Sequence, residues 1–309
     1  MKVLVTGGAG FIGSNVVDLY IERGYDVVVV DNLSTGRESN LNPRAKLYKL
    51  DIRSSEITEV FERERPDYIN HHAAQIDVRR SVTEPIFDAD ININGSINLL
   101  ENARRVGVQR FIYISSGGAV YGEPEYLPCD EAHPINPICP YGASKHVVEH
   151  YLYMYKEVHD LDYSVLRYAN VYGPRQDPLG EAGVVAIFTG KMLAGEQVVI
   201  NGDGEQTRDF IYVGDCAAAN LMVTEGEHVS GIYNLGSGLA TSINEIFSTL
   251  KDVTAYQNPP IHGPAMLGET RHIYLTAEKA KQELGWQPTI GLLDGLERTV
   301  EYTREAGAL

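Results

Sequence analysis

The segment Lys2-Val3-Leu4-Val5-Thr6-Gly7-Gly8-Ala9-Gly10-Phe11-Ile12-Gly13 decides the fold. An apolar run at 3–6 delivers the chain into glycines at 7, 10 and 13, and a helical pattern over 11–23 starts there. Glycines at that spacing are weak evidence alone; their place between a strand and a helix gives them meaning. Without Cβ atoms the turn lets a pyrophosphate approach the helix N-terminus, where free N–H groups and the helix dipole favour an anion. The following strand, four valines at 27–30, closes on Asp31. A carboxylate there accepts both hydroxyls of an adenosine ribose and repels a 2′-phosphate, so the pattern selects NAD over NADP.

Outward from this point, strands at 47–50, 68–72, 111–115 and 163–168 alternate with helices at 57–65, 86–106 and 141–158. Continuous β-branched runs belong to strands buried on both faces, and the alternation implies a doubly wound parallel sheet of Rossmann type. After Gly173-Pro174 turn-rich pieces alternate with short helices. The expected architecture is a dinucleotide-binding α/β domain over 1–172 and a smaller mixed α/β substrate domain over 173–309, interleaved around a cleft. Two more strand ends carry candidate cofactor ligands. Asp51-Ile52 closes the third strand, where a carboxylate accepts an adenine amino group; His72-Ala73-Ala74-Gln75 closes the fourth with side chains small enough to pass beneath a cofactor. Asn92 lies in the helix that follows. Each of these, alone, reads equally well as loop polarity or helix packing.

Tyr141 and Lys145 stand four apart at the start of the helix after the fifth strand, hence on one helix face. A nearby ammonium favours the phenolate, which makes Tyr141 a general base for a sugar hydroxyl. The plain alternative is a surface aromatic–cation pair.

Composition removes other classes. Lys and Arg total 26 against 42 Asp and Glu, a net charge of −16, which is no footprint for nucleic acid. No apolar run approaches the roughly 20 residues of a membrane span, and MKVLVTGG enters a strand at once instead of opening a signal peptide. Cys129, Cys139 and Cys216 have no metal-ligand spacing, so neither a metal site nor a disulfide framework is expected. The expectation is a soluble cytoplasmic enzyme.

The stretches TGGAGFIGS, DNLSTG, HHAAQ, SSGGAVYG, YGASK, RYANVYGP, RDFIYVGD and KAKQELGWQP together resemble an extended short-chain dehydrogenase/reductase. Within that superfamily they resemble the UDP-glucose (UDP-galactose) 4-epimerases, and the likeness runs nearly end to end. It implies tightly held NAD, touched by Gly7, Gly10, Phe11, Ile12, Gly13 and Asp31, by Asn32, Ser34, Thr35 and Gly36 in the loop beyond, and by Asp51, Ile52, His72, Ala73, Ala74, Gln75, Asn92, Tyr141 and Lys145. It implies a UDP-sugar substrate whose diphosphate meets Asn170 and Arg208, with Glu269 as a further substrate contact; an arginine suits that bidentate work. Tyr141, Lys145 and Ser116 are the implied catalytic groups. The implied reaction is reversible inversion at C4 through a 4-keto sugar, in a homodimer built on the helices at 86–106 and 141–158. Tolerance of an N-acetyl group is assigned to a pocket residue at Ile273.

Two departures bear on the site. The third position of the family's Ser-Ser-[Ser/Thr]-x-x-Val-Tyr-Gly stretch carries a hydroxyl, and here it is Gly117. A water is the favoured replacement, with Ser116 second and Tyr141 acting alone third, because adjacent strand residues face opposite ways. Where relatives have a second arginine, this chain has Met266-Leu267-Gly268-Glu269. The competing activities are a UDP-glucuronate decarboxylase or epimerase, a 4,6-dehydratase and a non-catalytic NAD-binding protein. Dehydratases of this kind carry an Asp-Glu pair where Gly118 and Ala119 stand.

Overall fold

The four valines at 27–30 show how the sequence builds its layers. Val27 and Val29 pack with Val3, Val5, Val16 and Val17 on one face, whereas Val28 and Val30 pack with Leu4, Leu99 and Phe111 on the other. Successive strand side chains point opposite ways, so a run apolar at every position demands cover on both sides. In the computed structural model, which describes residues 1–178, 183–265 and 270–307, helices supply that cover. Helix α1 (Phe11–Glu22) lies on the first face. On the second lie α2 (Ile57–Glu64), then, after the short α3 (Val78–Thr83) and α4 (Pro85–Ala89), α5 (Ser96–Val106) and α6 (Pro140–His159).

The main sheet is parallel throughout. Its strands are β1 (Lys2–Thr6), β2 (Asp26–Val30), β3 (Lys46–Tyr48), β4 (Tyr68–His71), β5 (Arg110–Ser116), β6 (Asp162–Tyr168) and a seventh, Gly231–Leu235. Across the sheet the order is Gly231–Leu235, β6, β5, β4, β1, β2, β3. The order reverses between β1 and β4, where Thr6 stands opposite His71. Ligands of open α/β sheets bind beyond the carboxyl ends of the strands at such a reversal.

Two features depart from the sequence reading. The helix expected over 86–106 is α4, a π-helical turn at Asp90–Gly95 and then α5. Ser96 Oγ donates to the Asn92 carbonyl at 2.5 Å, a side chain intruding on the backbone ladder inside that turn. The seventh strand was not anticipated; it pairs with β6 from Gly231–Ser164 to Leu235–Tyr168. The helix Val213–Glu225 that precedes it lies against α1, with Tyr20 and Thr224 hydroxyls 2.6 Å apart and Asn70 donating to Asn220 at 2.8 Å.

A separate core gathers Phe188, Ile246, Phe247 and Leu296 from the helices Val184–Leu193, Ile243–Thr254 and Leu292–Gly307. Short strand pairs join the two parts. Asn170–Tyr172 pairs with Phe210–Tyr212, and Thr207–Arg208 with Thr241–Ser242. Among the described residues no helix is long and apolar enough to cross a membrane, and no group of three or more His, Cys, Asp or Glu side chains is placed to hold a metal ion.

Candidate active site

Gly7 is in the left-handed region at φ +68°, and a Cβ there would lie 2.6 Å from the Ala73 nitrogen, so only glycine lets β1 turn beneath the end of β4. Its N–H donates to the Val30 carbonyl at 2.9 Å, tying the turn to β2. Gly10 is the N-cap of α1 and offers no side chain, which leaves the first N–H groups of that helix facing outward for an anion. Asp31 is only 7% exposed. Its Oδ2 accepts from Ala9 N–H at 3.0 Å and its Oδ1 from Leu33 N–H at 2.8 Å, so the carboxylate is aimed and still has lone pairs to spare. Ser34 and Thr35 sit exposed in the loop that follows.

The structure places Asp51 beside this loop, but not free. Arg53 grips it with Nε and Nη2, each at 2.9 Å, and Asn32 donates to it at 3.0 Å. Arg53 holds the carboxyl down at about 2 against the opposing effect of burial. The sequence reading missed Arg53, although an arginine two residues past an acid at a strand end is a visible signal. Ile52 turns its side chain into the core.

At the end of β4 the polar groups mostly serve one another. Ser96 spends its proton on the Asn92 carbonyl, so it must accept from His71 Nε2–H at 2.9 Å; Thr6 Oγ1, which accepts from Ala73 N–H, then donates to His71 Nδ1 at 2.7 Å. His71 is therefore neutral in its Nε2–H form, in keeping with burial that drives its pKa well down. Gln75 and Asn92 are likewise committed. Asn92 Oδ1 accepts from Gln75 N–H at 2.8 Å, and its Nδ2 reaches Gln75 O, Asp88 Oδ1 and Ser144 Oγ at 3.0–3.2 Å. Gln75 Nε2 donates to the Asp77 carbonyl and to Asp88. His72 Nε2 is buried without a partner, and burial lowers its pKa to about 3.

Helix α6 starts with Pro140 in its first turn, and Cys139 Sγ accepts the Gly142 N–H at 3.4 Å. A Cβ on Gly142 would come 2.3 Å from the Ala119 carbonyl oxygen, so glycine there seats the helix directly on the segment after β5. That seat brings Tyr141 to Ser116. The Ser116 hydroxyl hydrogen-bonds to the phenol, lowering its pKa, while burial drives it the other way to about 12. Lys145 Nζ stands 4.4 Å from the centre of the Tyr113 ring, and burial lowers the amine to about 7.

Two expectations, on Ser116 and on position 117, are corrected here. Ser116 does not point away; it partners Tyr141. A side chain on Gly117 would meet Leu275 Cδ1 at 2.4 Å, within the closed apolar cluster of Val120, Tyr121, Cys129, Ile273 and Leu275, so the position faces the interior and not the cleft. Ile273 belongs to that cluster at 3% exposure. Burial sets the direction for both Tyr141 and Lys145, raising the phenol and lowering the amine.

Asn170 opens one short strand, Asn170–Tyr172, and Arg208 closes another, Thr207–Arg208. The backbone N–H of Asn170 donates to the Asp209 carbonyl at 2.8 Å, and a Cβ on Gly118 would lie 3.7 Å from Asn170 Oδ1. Arg208 donates to the Thr207 carbonyl at 2.8 Å. Buried Asp209 organises the surroundings, accepting from Ser237 N–H, Ser237 Oγ, Gly238 N–H and Leu275 N–H. Arg271, which the sequence reading passed over, hydrogen-bonds through its backbone to Thr207 and grips Asp203 with two bonds of 2.8 Å. Glu269 and Met266 lie outside the described residues.

The model of the NAD dependent epimerase/dehydratase family matches residues 3–236. A UDP-glucose 4-epimerase of Mycolicibacterium smegmatis is 43% identical over 311 residues, covering 98% of this chain and 99% of its own. The crystal structure of a Thermotoga maritima UDP-glucose 4-epimerase with UDP-glucose superposes with a TM-score of 0.96 at 50% identity, covering 99% of each chain. That of a Thermus thermophilus UDP-glucose 4-epimerase in complex with NAD gives 0.93 at 40% identity, covering 99% of this chain and all of the other. Likeness of this extent reaches through the sheet, the glycine turn and the Tyr141 helix alike, and the chain belongs to the NAD dependent epimerase/dehydratase family, as an extended short-chain dehydrogenase/reductase.

Proposed function

We propose that the protein interconverts UDP-glucose and UDP-galactose by inverting C4, using NAD. The observation that carries this reading is the Tyr141–Ser116 pair, a phenol and a hydroxyl in contact at the carboxyl end of β5. The residues present fit NAD. The uncapped N-terminus of α1 suits a pyrophosphate, the Gly7 turn gives the close approach it needs, and Asp31 stands at the end of β2 to receive ribose hydroxyls. Bound there, NAD would supply a hydride acceptor and donor for C4, so that no net oxidation results. Tyr141 accepts the 4-hydroxyl proton and returns it to the keto oxygen, with Ser116 holding that proton's path by its hydrogen bond. Lys145, buried beside them, supplies positive charge that favours the phenolate when protonated.

Asn170 and Arg208 receive the nucleotide diphosphate, with Glu269 as a further contact, so that Asn170 and residues beyond 173 hold the UDP-sugar and residues before 173 hold the cofactor. Gly118 and Ala119 offer neither acid nor base for eliminating water, which favours epimerisation over 4,6-dehydration. The exposed apolar side chains of Val82, Ile86, Tyr153, Met154 and Val158 on α3, α4 and α6 support a homodimer through those helices. Cytoplasmic galactose metabolism is the matching setting. The test is incubation of the purified protein with UDP-glucose or UDP-galactose, without added cofactor, followed by separation of the products. The same mixture from either sugar is expected, and Tyr141→Phe should lower turnover by about 10²- to 10⁴-fold. NADH accumulation, a 6-deoxy-4-keto sugar or no conversion would overturn the reading.

A further inference from the structure

Asp88, on α4, is 1% exposed and carries an oxygen, Oδ2, that is buried without a hydrogen-bond partner. Its other oxygen accepts only neutral amide donors, Gln75 Nε2 at 3.0 Å and Asn92 Nδ2 at 3.2 Å. Isolated carboxylates are not kept in such places without compensation. The other buried carboxylate in this region, Glu149, has its own cation: Arg167 Nη2 lies 2.5 Å from it. Asp88 has no ion pair among the described residues. The same Asn92 amide that reaches Asp88 also donates to Ser144 Oγ at 3.0 Å, and Ser144 adjoins Lys145. Lys145, also buried, follows Ser144 on α6, and the Asp88 carboxylate, like that of Glu149, opposes the fall of its pKa.

We propose that Asp88 is a positioning residue, the buried counter-charge that keeps Lys145 an ammonium and in place beside Tyr141. The proposal rests on the reading of Tyr141 and Lys145 given above. The groups facing Lys145 leave the role to few candidates. From β4 and the residue after it come His71 and His72, both held neutral by burial; from β5 comes the uncharged Tyr113 ring; from α6 come Tyr141 and Glu149, whose carboxylate is shared with Arg167. Tyr141 itself is faced by Ser116, Cys139 and Asp88. Burial lowers the Lys145 amine, and the Glu149 and Asp88 carboxylates oppose that fall.

Removing the Asp88 charge lowers the pKa of Lys145 and of Tyr141 together, since an anion favours the protonated form of each. Asp88→Asn keeps the shape and the two amide bonds. Its pH profile of turnover should move acid-ward on both limbs by about one unit, whereas Asp88→Glu, which keeps the charge, should leave the profile at the wild-type position. A merely structural role changes the height of the profile and leaves its position. Independently of turnover, the 13Cε resonance of Lys145 in the intact protein, assigned by its loss in Lys145→Arg, should titrate about one unit lower in Asp88→Asn. An unmoved Lys145 titration overturns the proposal even if the protein is an epimerase. A moved titration in a protein without epimerase activity upholds the coupling and rejects the functional reading instead.

Discussion

A phenol buried to a pKa of about 12 is a poor base until something stabilises its anion, and in this protein the group in contact with it is Ser116. The Ser116 hydroxyl donates to a phenolate, so it favours the charged form that catalysis needs. Ser116→Ala should therefore lower turnover of UDP-galactose by about 10- to 100-fold, less than the roughly 10²- to 10⁴-fold of the base itself, while leaving the unfolding midpoint in urea nearly unchanged. Gly117→Ser should not restore the loss. Its new Cβ would point at Leu275, 2.4 Å from a methyl carbon, and overpacking of a closed cluster costs about 1–3 kcal/mol. The double variant should remain as slow as Ser116→Ala and unfold at lower urea; recovery of wild-type turnover would return the role to position 117. At this scale the sequence reveals residues whose chemistry is local: the glycine turn, Asp31 at a strand end, and Tyr141 with Lys145 on one helix face. It does not reveal which way Ser116 turns. Strand alternation says only that Ser116 and Gly117 face opposite ways; with Gly117 turned to Leu275, Ser116 is the one that faces Tyr141.

Elements show the same division between local pattern and distant contact. Strands β1 and β2 are legible from their unbroken apolar runs, Val3–Val5 and Val27–Val30, and α6 from its spacing. The seventh strand is hidden by its composition, Gly-Ile-Tyr-Asn-Leu, whose Asn234 is buried in a polar network. Asn234 accepts from Tyr121 Oη at 2.7 Å, Tyr121 accepts from Arg167 at 2.9 Å, and Arg167 binds Glu149 on α6 through Nε at 3.0 Å. Glu149 also accepts from Ser115 at 2.6 Å, next to Ser116. A pattern search sees an interrupted strand; the fold uses the interruption to bind β5, β6, the seventh strand and α6 together. Burial opposes charge on Glu149, yet Arg167, His146 and Ser115 hold its carboxyl at about 2. Its folded pKa lies below the unfolded value, so its contribution is present above roughly pH 4.3 and is lost as pH falls toward 2. Glu149→Gln or Arg167→Met strands a buried charge or its donors and should cost about 3–5 kcal/mol in urea unfolding. Glu149→Met with Arg167→Met should cost less than the sum of the single changes; strict additivity would mean that the pair does not act as a unit.

For the whole molecule, the doubly wound half is readable in outline and the return of the chain after Gly173 is not, because that return is fixed by contacts between residues some two hundred positions apart. Tyr20 with Thr224 is one, and Arg23 with Glu225 is another. Surface composition poses a further question. A chain of net charge −16 should repel its own copies, yet it presents Ile86 at 85% exposure together with Val82, Tyr153, Met154 and Val158 on helices packed side by side. Apolar side chains exposed on a highly charged protein suit a surface that a second copy covers, which is the homodimer proposed above. If two copies meet through these helices about a two-fold axis, each substitution enters the interface twice. Ile86→Glu with Val158→Glu would then bring four carboxylates into one apolar contact. Sedimentation velocity should show a dimer for the unaltered protein and a monomer for the double variant. Turnover per chain should persist, at least in part, because Asp31, Ser116, Tyr141 and Lys145 all come from a single chain. A monomeric wild type, or a dimer that survives both glutamates, would show that the patch serves another purpose.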